Sequence, residues 1–480
     1  MSTQGNYLWA TIDKVGGVGL AFLFNLVMAR WFLSPREFGI IGMLQIFISI
    51  GYTTVIAGFG QSLVQAKELK KEDISTVFTI NLLLSLVVYV LFFISAPWIA
   101  SFYGEPILKD VLRVLGLQLI ICSFLVVQYN LALRASHLRR LCLITLVSSI
   151  LGYITGFVFA IKGAGVWSLV VATLAMYFFQ ASGLWLTTNT YPFLGISKGS
   201  FRGLVPYSGF IYLATLIDQV YIHGLSVIFG KRFSATTLGY YTHANKLQMV
   251  PSQAIQNIGY QVLFPDFSRY QSVPDLLKNR YRKNLRLITI LSILAFSILF
   301  LTAKPIIVLL FTEKWLPSVP MLRILTPVGL FLVLSFIPTM LIRSVGQAKS
   351  YFTLMAIERV LGITLLIILS GIGMYETLWG LVGLNIAYFL FNIYYVSRLT
   401  TITIREQLND VLPILVLHGG GTLGVNYLMD LIEGYGIFGE LAVGIIVPII
   451  LLGGLLLAIQ WIKPADSYKI LKFLNSKNNE

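Results

Sequence analysis

Hydrophobic positions along this chain come in unbroken runs of about twenty residues, separated by short polar stretches rich in lysine and arginine. Each run is long enough to cross a hydrocarbon core of about 30 Å at about 1.5 Å per helical residue. The runs are continuous and do not alternate polar with apolar, as the strands of a membrane barrel would. The pattern therefore predicts an all-α membrane protein of about fourteen transmembrane helices. They are expected over 7–32, 38–60, 76–101, 111–133, 141–161, 166–186, 204–229, 236–264, 285–311, 319–342, 351–373, 378–396, 412–432 and 437–461. The first run carries Asp13, Lys14 and several glycines, so it is expected to be an uncleaved span and not a signal peptide. No loop has room for a soluble catalytic domain. The largest, at 265–284, contains an amphipathic stretch expected to lie as a helix on the membrane surface.

The loops alternate in charge. One set holds Lys67, Lys70, Lys71, Arg134, Arg139, Arg140, Lys198, Arg202, Arg269, Lys278, Arg280, Arg282, Lys283, Arg286, Arg343, Lys349, Arg398, Arg405 and the lysines of the C-terminal tail. The other mixes a few cations with Glu37, Glu105, Asp110, Glu313, Glu376, Asp430, Glu433 and Glu440. By the positive-inside rule both termini are cytoplasmic, and only an even number of spans keeps the alternation intact. Composition agrees: 57% of residues are hydrophobic, 11% are charged, and the mean hydropathy is +0.81. The net charge of +15 gathers on the cytoplasmic rim, where anionic lipid is the expected partner and no nucleic acid is needed. Cys122 and Cys142 fall inside spans without metal-ligand spacing, so they read as small buried residues.

Two halves of the chain echo each other. LSPREFGII (33–41) returns as FSATTLGYY (233–241), which sets Gly39 opposite Gly239; VLRVLG (111–116) returns as MLRILT (321–326), and ALRAS (132–136) as LIRSV (341–345). With six spans per copy both halves keep one orientation, so the repeat is parallel. The expected architecture is two parallel six-helix bundles with a central cavity, plus two extra C-terminal helices. The corresponding division is 1–187, a cytoplasmic linker 188–203, 204–400, and 401–480.

Ionisable residues inside spans mark candidate sites, because hydrocarbon would reject them. They are Lys14 and Arg30 in the first span, Asp218 and His223 in the seventh, Lys246 in the eighth, and the pair Glu358 and Arg359 in the eleventh. Asp218 should lie about 20 Å along its helix, near mid-membrane. It is the first coupling candidate, able to exchange a proton or pair with a cation such as Na+, and Glu358 is the second. Lys14 should sit in the cytoplasmic third, Lys246 roughly 16 Å from the outer end, and Arg30 near the outer rim. Gly16, Gly17 and Gly19 are expected to allow close approach or bending. The run at 419–424 lacks the Gly-Lys ending of a phosphate loop and reads as helix packing.

Several longer words carry a resemblance: LSPREFGII, KELKKEDISTVF (67–78), FYGEP (102–106), GVWSLV (165–170), LGYYTHANKLQMVP (238–251), VLFPDFSRYQ (262–271) and WLPSVPMLRIL (315–325). Together they resemble the polysaccharide transporter family, and within it the colanic-acid and teichuronic-acid exporter branch, relatives of the O-antigen flippases. The wider superfamily includes multidrug and toxin extrusion proteins. The resemblance implies a flippase in the bacterial cytoplasmic (inner) membrane that moves an undecaprenyl-pyrophosphate-linked oligosaccharide to the outer leaflet by alternating access. It implies no cofactor, coupling to H+ or Na+, and a polysaccharide polymerase as a further partner. Asp218 and Gln219 match the family's acid-amide pair, whereas His243 stands where the family often has arginine. On this reading Lys14, Arg30 and Lys246 bind the pyrophosphate in turn. The alternative is a cation-coupled multidrug antiporter of the same fold. Intramembrane cations favour an anionic substrate over the organic cations such an antiporter exports. A membrane-bound glycosyltransferase or polymerase would need a carboxylate or metal site in a sizeable outer loop.

Overall fold

The apolar runs fold as helices because only a helix satisfies every backbone N–H and C=O within one segment of chain. The structure, a computed structural model, describes residues 3–56, 63–64, 69–188, 190–431 and 436–462. Its helices are α1 (Thr3–Val27, closed by a π-helical turn over Met28–Phe32), α2 (Pro35–Ile56), α3 (Lys71–Tyr103), α4 (Ile107–Leu115), α5 (Leu117–Arg134), α6 (Leu138–Ile161), α7 (Trp167–Leu186) and α8 (Lys198–Arg232). The remainder are α9 (Ala235–Arg269), α10 (Pro274–Leu301), α11 (Ala303–Phe311), α12 (Ser318–Ser344), α13 (Ala348–Ser370), α14 (Met374–Leu399), α15 (Ile404–Leu431) and α16 (Ile437–Ile462). Among the described residues, 12 helical stretches are long and apolar enough to cross a membrane, with α4 and α5 forming one of them. The protein is thus a multi-pass, all-α membrane protein. The two other expected spans fall in α8 and α9, each 35 residues long.

The repeat is written in the helix boundaries. Ser34 and Ser234 each open a helix. Glu37 accepts the Ser34 backbone N–H at 2.8 Å, and Ser234 Oγ accepts the Thr237 N–H at 3.1 Å. Later, α5 and α12 end in the same turn, with positive φ at Ser136 and Gly346. His137 N–H bonds to Ala132 O, and Gln347 N–H to Ile342 O. These turns align Arg134 with Ser344, one residue away from the Arg134–Arg343 register that the letters alone favour. Arg113 and Arg323 keep their predicted equivalence. Arg113 lies 4.1 Å from the Phe93 ring centre, and Arg323 lies 5.6 Å from that of Phe300.

Contacts divide the chain into two units, 1–242 and 243–480. In the first, α1 lies on α6 through stacked Phe24 and Tyr153, 4.5 Å between ring centres, and α6 lies on α7, where a Cβ at Gly156 would come within 2.5 Å of Ala172 Cβ. Here α8 packs on α2 and α3. The starts of α2 and α9 cross so closely that a Cβ at Gly39 would fall 1.6 Å from the Ala235 carbonyl oxygen, and one at Gly239 would fall 1.8 Å from that of Pro35. The contact is reciprocal, in the manner of a two-fold interface. The glycines of the first span divide. Gly16 faces Leu146 at 3.0 Å, while Gly17 and Gly19 face open space, so close approach applies to Gly16 alone.

In the second unit the basic stretch at 278–286 is not a surface helix beside a loop. Pro274 takes the first helical position and α10 runs unbroken to Leu301, so these cations sit on the first turns of a span. Arg280 pairs with Asp266 on α9 at 3.1 Å, whereas the partners of Lys278, Arg282 and Arg286 lie on α15. Asp410, whose side chain is fully buried, binds Arg282 at 2.7 Å and also pairs with Arg286, while Glu406 holds Lys278 at 2.7 Å. Tyr281 Oη donates to Gln407 Oε1 at 2.7 Å. Deeper along the same helices, His418 meets Ser297 at 3.3 Å and the Pro448 carbonyl at 3.1 Å, which joins α10, α15 and α16. Three cations counted as rim charge are therefore spent in part on docking α15.

Candidate functional site

Each candidate charge is positioned by the local chemistry of its helix, and the two units hold separate sets. In the first unit, Lys14 is exposed on α1 beside Asp13, which is partly buried and whose Oδ1 accepts no hydrogen bond among the described residues. A buried carboxylate oxygen left so is costly in a protein interior, which makes Asp13 a candidate that sequence reasoning did not single out. Its signal was adjacency to Lys14 inside an apolar run. Arg30 lies on the π-helical turn, with its guanidinium carbon 5.3 Å from the centre of the exposed Trp31 ring. Such turns insert an extra residue and often occur at functional positions. An arginine beside an exposed tryptophan suits the interfacial end of a span.

Asp218 is half-buried on α8. Its helix is tied to α2 by polar pairs, Thr54 with Tyr212 at 2.9 Å and Ser49 with His223 at 3.0 Å. As α8 rises from Tyr212 to His223, α2 descends from Thr54 to Ser49, so the two run antiparallel. Five residues separate Asp218 from His223, which places them on different faces of the helix. The histidine is therefore engaged by α2, and the acid presents elsewhere.

In the second unit, Lys246 is exposed on α9, one helical turn beyond His243. His243 is buried, with its ring centre 4.1 Å from that of Trp315 and 5.0 Å from that of Phe311. An imidazole packed between aromatic rings fills the position where the family often carries an arginine. Glu358 on α13 accepts a hydrogen bond from Asn392 Nδ2 at 2.9 Å, and Tyr388 Oη donates to the Glu358 carbonyl. Both partners lie on α14. The result is an intramembrane carboxylate held by an amide donor, with its own backbone carbonyl bound by a phenol, and a carboxylate at that depth is a candidate to hold a proton or a small cation. Asn392 and Tyr388 carried no signal in the sequence, because a buried amide in an apolar run looks the same whether or not an acid on the next helix faces it. Among the described residues no group of three or more His, Cys, Asp or Glu side chains could hold a metal ion.

The structure thus brings Glu358 together with Asn392 and Tyr388, and His223 together with Ser49. It keeps Lys14, Arg30 and Asp218 in the first unit and Lys246 and Glu358 in the second.

Residues 27–320 match the family model described as polysaccharide biosynthesis protein. The succinoglycan biosynthesis transport protein ExoT of Rhizobium meliloti is 25% identical over 354 residues, covering 72% of this chain and 70% of that protein. The lipopolysaccharide biosynthesis protein WzxC of Escherichia coli is 23% identical over 67% of this chain and 66% of its own length. The teichuronic acid biosynthesis protein TuaB of Bacillus subtilis is 23% identical over 58% of each. In fold, the chain superposes on the lipid II flippase MurJ in an inward closed conformation, with a TM-score of 0.71, 14% identity, and coverage of 93% of this chain and 98% of that one. An inward-facing multidrug resistance transporter of the MATE family follows at 0.56, with 17% identity over 83% of this chain and 96% of that one. The shared fold is that of membrane transporters. With well over half of its length matched by the family model, the chain belongs to the polysaccharide biosynthesis protein family.

Proposed function

We propose that the protein is a flippase that carries an undecaprenyl-pyrophosphate-linked oligosaccharide from the inner to the outer leaflet of the bacterial cytoplasmic membrane. The observation that carries this reading is the family match over 27–320, together with relatives whose names tie them to surface-polysaccharide biosynthesis and transport. It is transport and not catalysis, with both termini in the cytoplasm, and it proceeds by alternating access.

A pyrophosphate cannot cross hydrocarbon unpaired, since desolvating such a charge costs many kcal/mol. Fixed cations offset that cost. On this account Lys14, Arg30 and Lys246 take the pyrophosphate in turn, each binding weakly enough to release it. Arg30 offers a planar guanidinium suited to two phosphate oxygens at once, and the lysines act as point charges. Asp218 and Glu358 are the coupling candidates. Glu358, its carboxylate held by Asn392, is the site we assign to H+ or Na+ exchange, and Asp218 is the second.

Two experiments test this. A strain lacking the gene is expected to accumulate the lipid-linked repeat unit, read by mass spectrometry of extracted lipids, and to recover on complementation. An unchanged lipid-linked pool together with increased sensitivity to cationic drugs would favour the antiporter. Glu358→Gln is expected to lower transport about tenfold at equal membrane abundance and to abolish its dependence on the ion gradient. Unchanged gradient dependence would remove Glu358 from the coupling role.

A further inference from the structure

Between α7 and α8 the chain runs without helix from Thr190 to Ser197, and its polar groups are disposed unusually. Three alternate backbone N–H groups donate to three hydroxyls on the first turns of α3. Phe193 N–H reaches Ser75 Oγ at 3.2 Å, Gly195 N–H reaches Thr79 Oγ1 at 2.9 Å, and Ser197 N–H reaches Thr76 Oγ1 at 3.0 Å. Ser75 and Thr76 are buried beneath the segment. The near end is held as well, because Gln128 Nε2 donates to the Thr190 carbonyl at 2.8 Å. This is a strap pinned along one side by sequence-independent bonds.

The large side chains of the strap are left exposed, although the Tyr191 ring also meets Trp185, 6.1 Å between ring centres. Tyr191 is 65% exposed, Phe193 56%, Leu194 70% and Ile196 53%, and Leu186 at the end of α7 is 84% exposed. Beside them Arg140 on α6 donates to Thr187 Oγ1 at 2.9 Å, and Lys198 and Arg202 follow in the sequence. Water would exact a hydrophobic cost for so many large apolar groups on one short segment. Irregular backbone is ordinarily excluded from membrane depth because its N–H groups go unsatisfied. Here alternate N–H groups are satisfied by α3, and at the headgroup boundary the others remain within reach of water.

We infer that the 190–197 strap is a membrane-interface anchor, with Tyr191, Phe193, Leu194 and Ile196 seated at the boundary between headgroups and acyl chains while the Ser75–Thr76–Thr79 hydroxyls hold its backbone. The occupant is lipid. The strap is continuous at both ends with transmembrane helices, and an aromatic and aliphatic surface flanked by arginine and lysine is the composition of that boundary. Anionic headgroups complement the flanking cations. The connection between the two sequence repeats is then fastened to the bilayer and to α3.

The test uses the full-length protein with Cys122 and Cys142 replaced by alanine and Leu194→Cys carrying a nitroxide. It is reconstituted in vesicles of phosphatidylethanolamine with phosphatidylglycerol. Collision with oxygen is expected to exceed collision with a water-soluble nickel chelate at this position. The variant Ser75→Ala/Thr76→Val/Thr79→Val is expected to raise the nickel collision rate several-fold, and Thr76→Val alone to move it in the same direction where the triple variant folds poorly. A label that meets nickel more than oxygen in the parent protein, whether mobile in water or immobilised against another protein, would overturn the proposal. So would hydroxyl variants that leave the collision ratio unchanged.

Discussion

Gly39→Ala is expected to reduce surface-polysaccharide export about tenfold or more at equal membrane abundance. The new methyl carbon would lie 1.6 Å from the Ala235 carbonyl oxygen, and no rotamer relieves a clash with backbone. Overpacking of a well-filled site costs about 1–3 kcal/mol even where side chains can shift, and here the two helix starts must separate instead. The reciprocal Gly239→Ala, which places a methyl 1.8 Å from the Pro35 carbonyl oxygen, should act alike. The pair together should cost less than the sum of the two, since either change alone already parts the helices. Gly17→Ala is the control, because nothing lies within 4 Å of the added carbon. Complementation of a deletion strain, with membrane abundance measured alongside, checks all four. Normal export by Gly39→Ala would show that the crossing of α2 and α9 is not needed in that form.

The second large effect concerns the docking of α15. Asp410→Ala should destabilise the protein by about 3 kcal/mol, because it removes the fully buried carboxylate that Arg282 and Arg286 share and leaves Arg282 with Glu406, at 3.3 Å, in its place. Arg282 and Arg286 keep 25% and 39% of their side-chain surface exposed, so water recovers part of the loss, and the estimate stands at the lower end of the range for breaking a buried pair. Asp410→Asn retains hydrogen-bond acceptance and should fall between. Replacing all three together, with Arg282→Met, Arg286→Met and Asp410→Leu, should recover much of the stability, since a buried ionic cluster is often matched by apolar packing. Thermal unfolding in detergent gives the order. If Asp410→Ala unfolds at the parental temperature, the cluster is not what holds α15.

How much of this was legible in the sequence follows from which properties are local. Helix existence is local: a run of about twenty apolar residues has one way to satisfy its backbone in lipid, so the spans could be placed from letters. The repeat was legible for the same reason, as Ser34 and Ser234 cap helices through bonds only three residues long. Register at Arg134 slipped by one because the turn after it depends on which residue adopts positive φ, and Ser136 gave no sign that it would. Contacts between distant segments were not legible. Gly39 and Gly239 were seen as equivalent letters, but equivalence does not say that each presses on the other's helix. Arg282 and Arg286 were counted as rim charge because Asp410 lies far along the chain and begins a later span.

The candidate site divides in the same way. Intramembrane charge is visible in any sequence, and Lys14, Arg30, Asp218, Lys246 and Glu358 stand out against their apolar neighbours. What surrounds each charge is decided by other helices. Asn392 and Tyr388 at Glu358, and Ser49 at His223, came only with the fold.

Flipping itself is tested most directly with purified protein in vesicles that contain the lipid-linked repeat unit with a fluorophore on its sugar, to which dithionite is added from outside. Without protein only the outer-leaflet half should bleach. With the wild-type protein nearly all of the fluorescence should be lost, and Lys14→Ala/Lys246→Ala should return bleaching to the protein-free level. Bleaching that stops at the outer-leaflet half with the active wild-type protein would contradict the account.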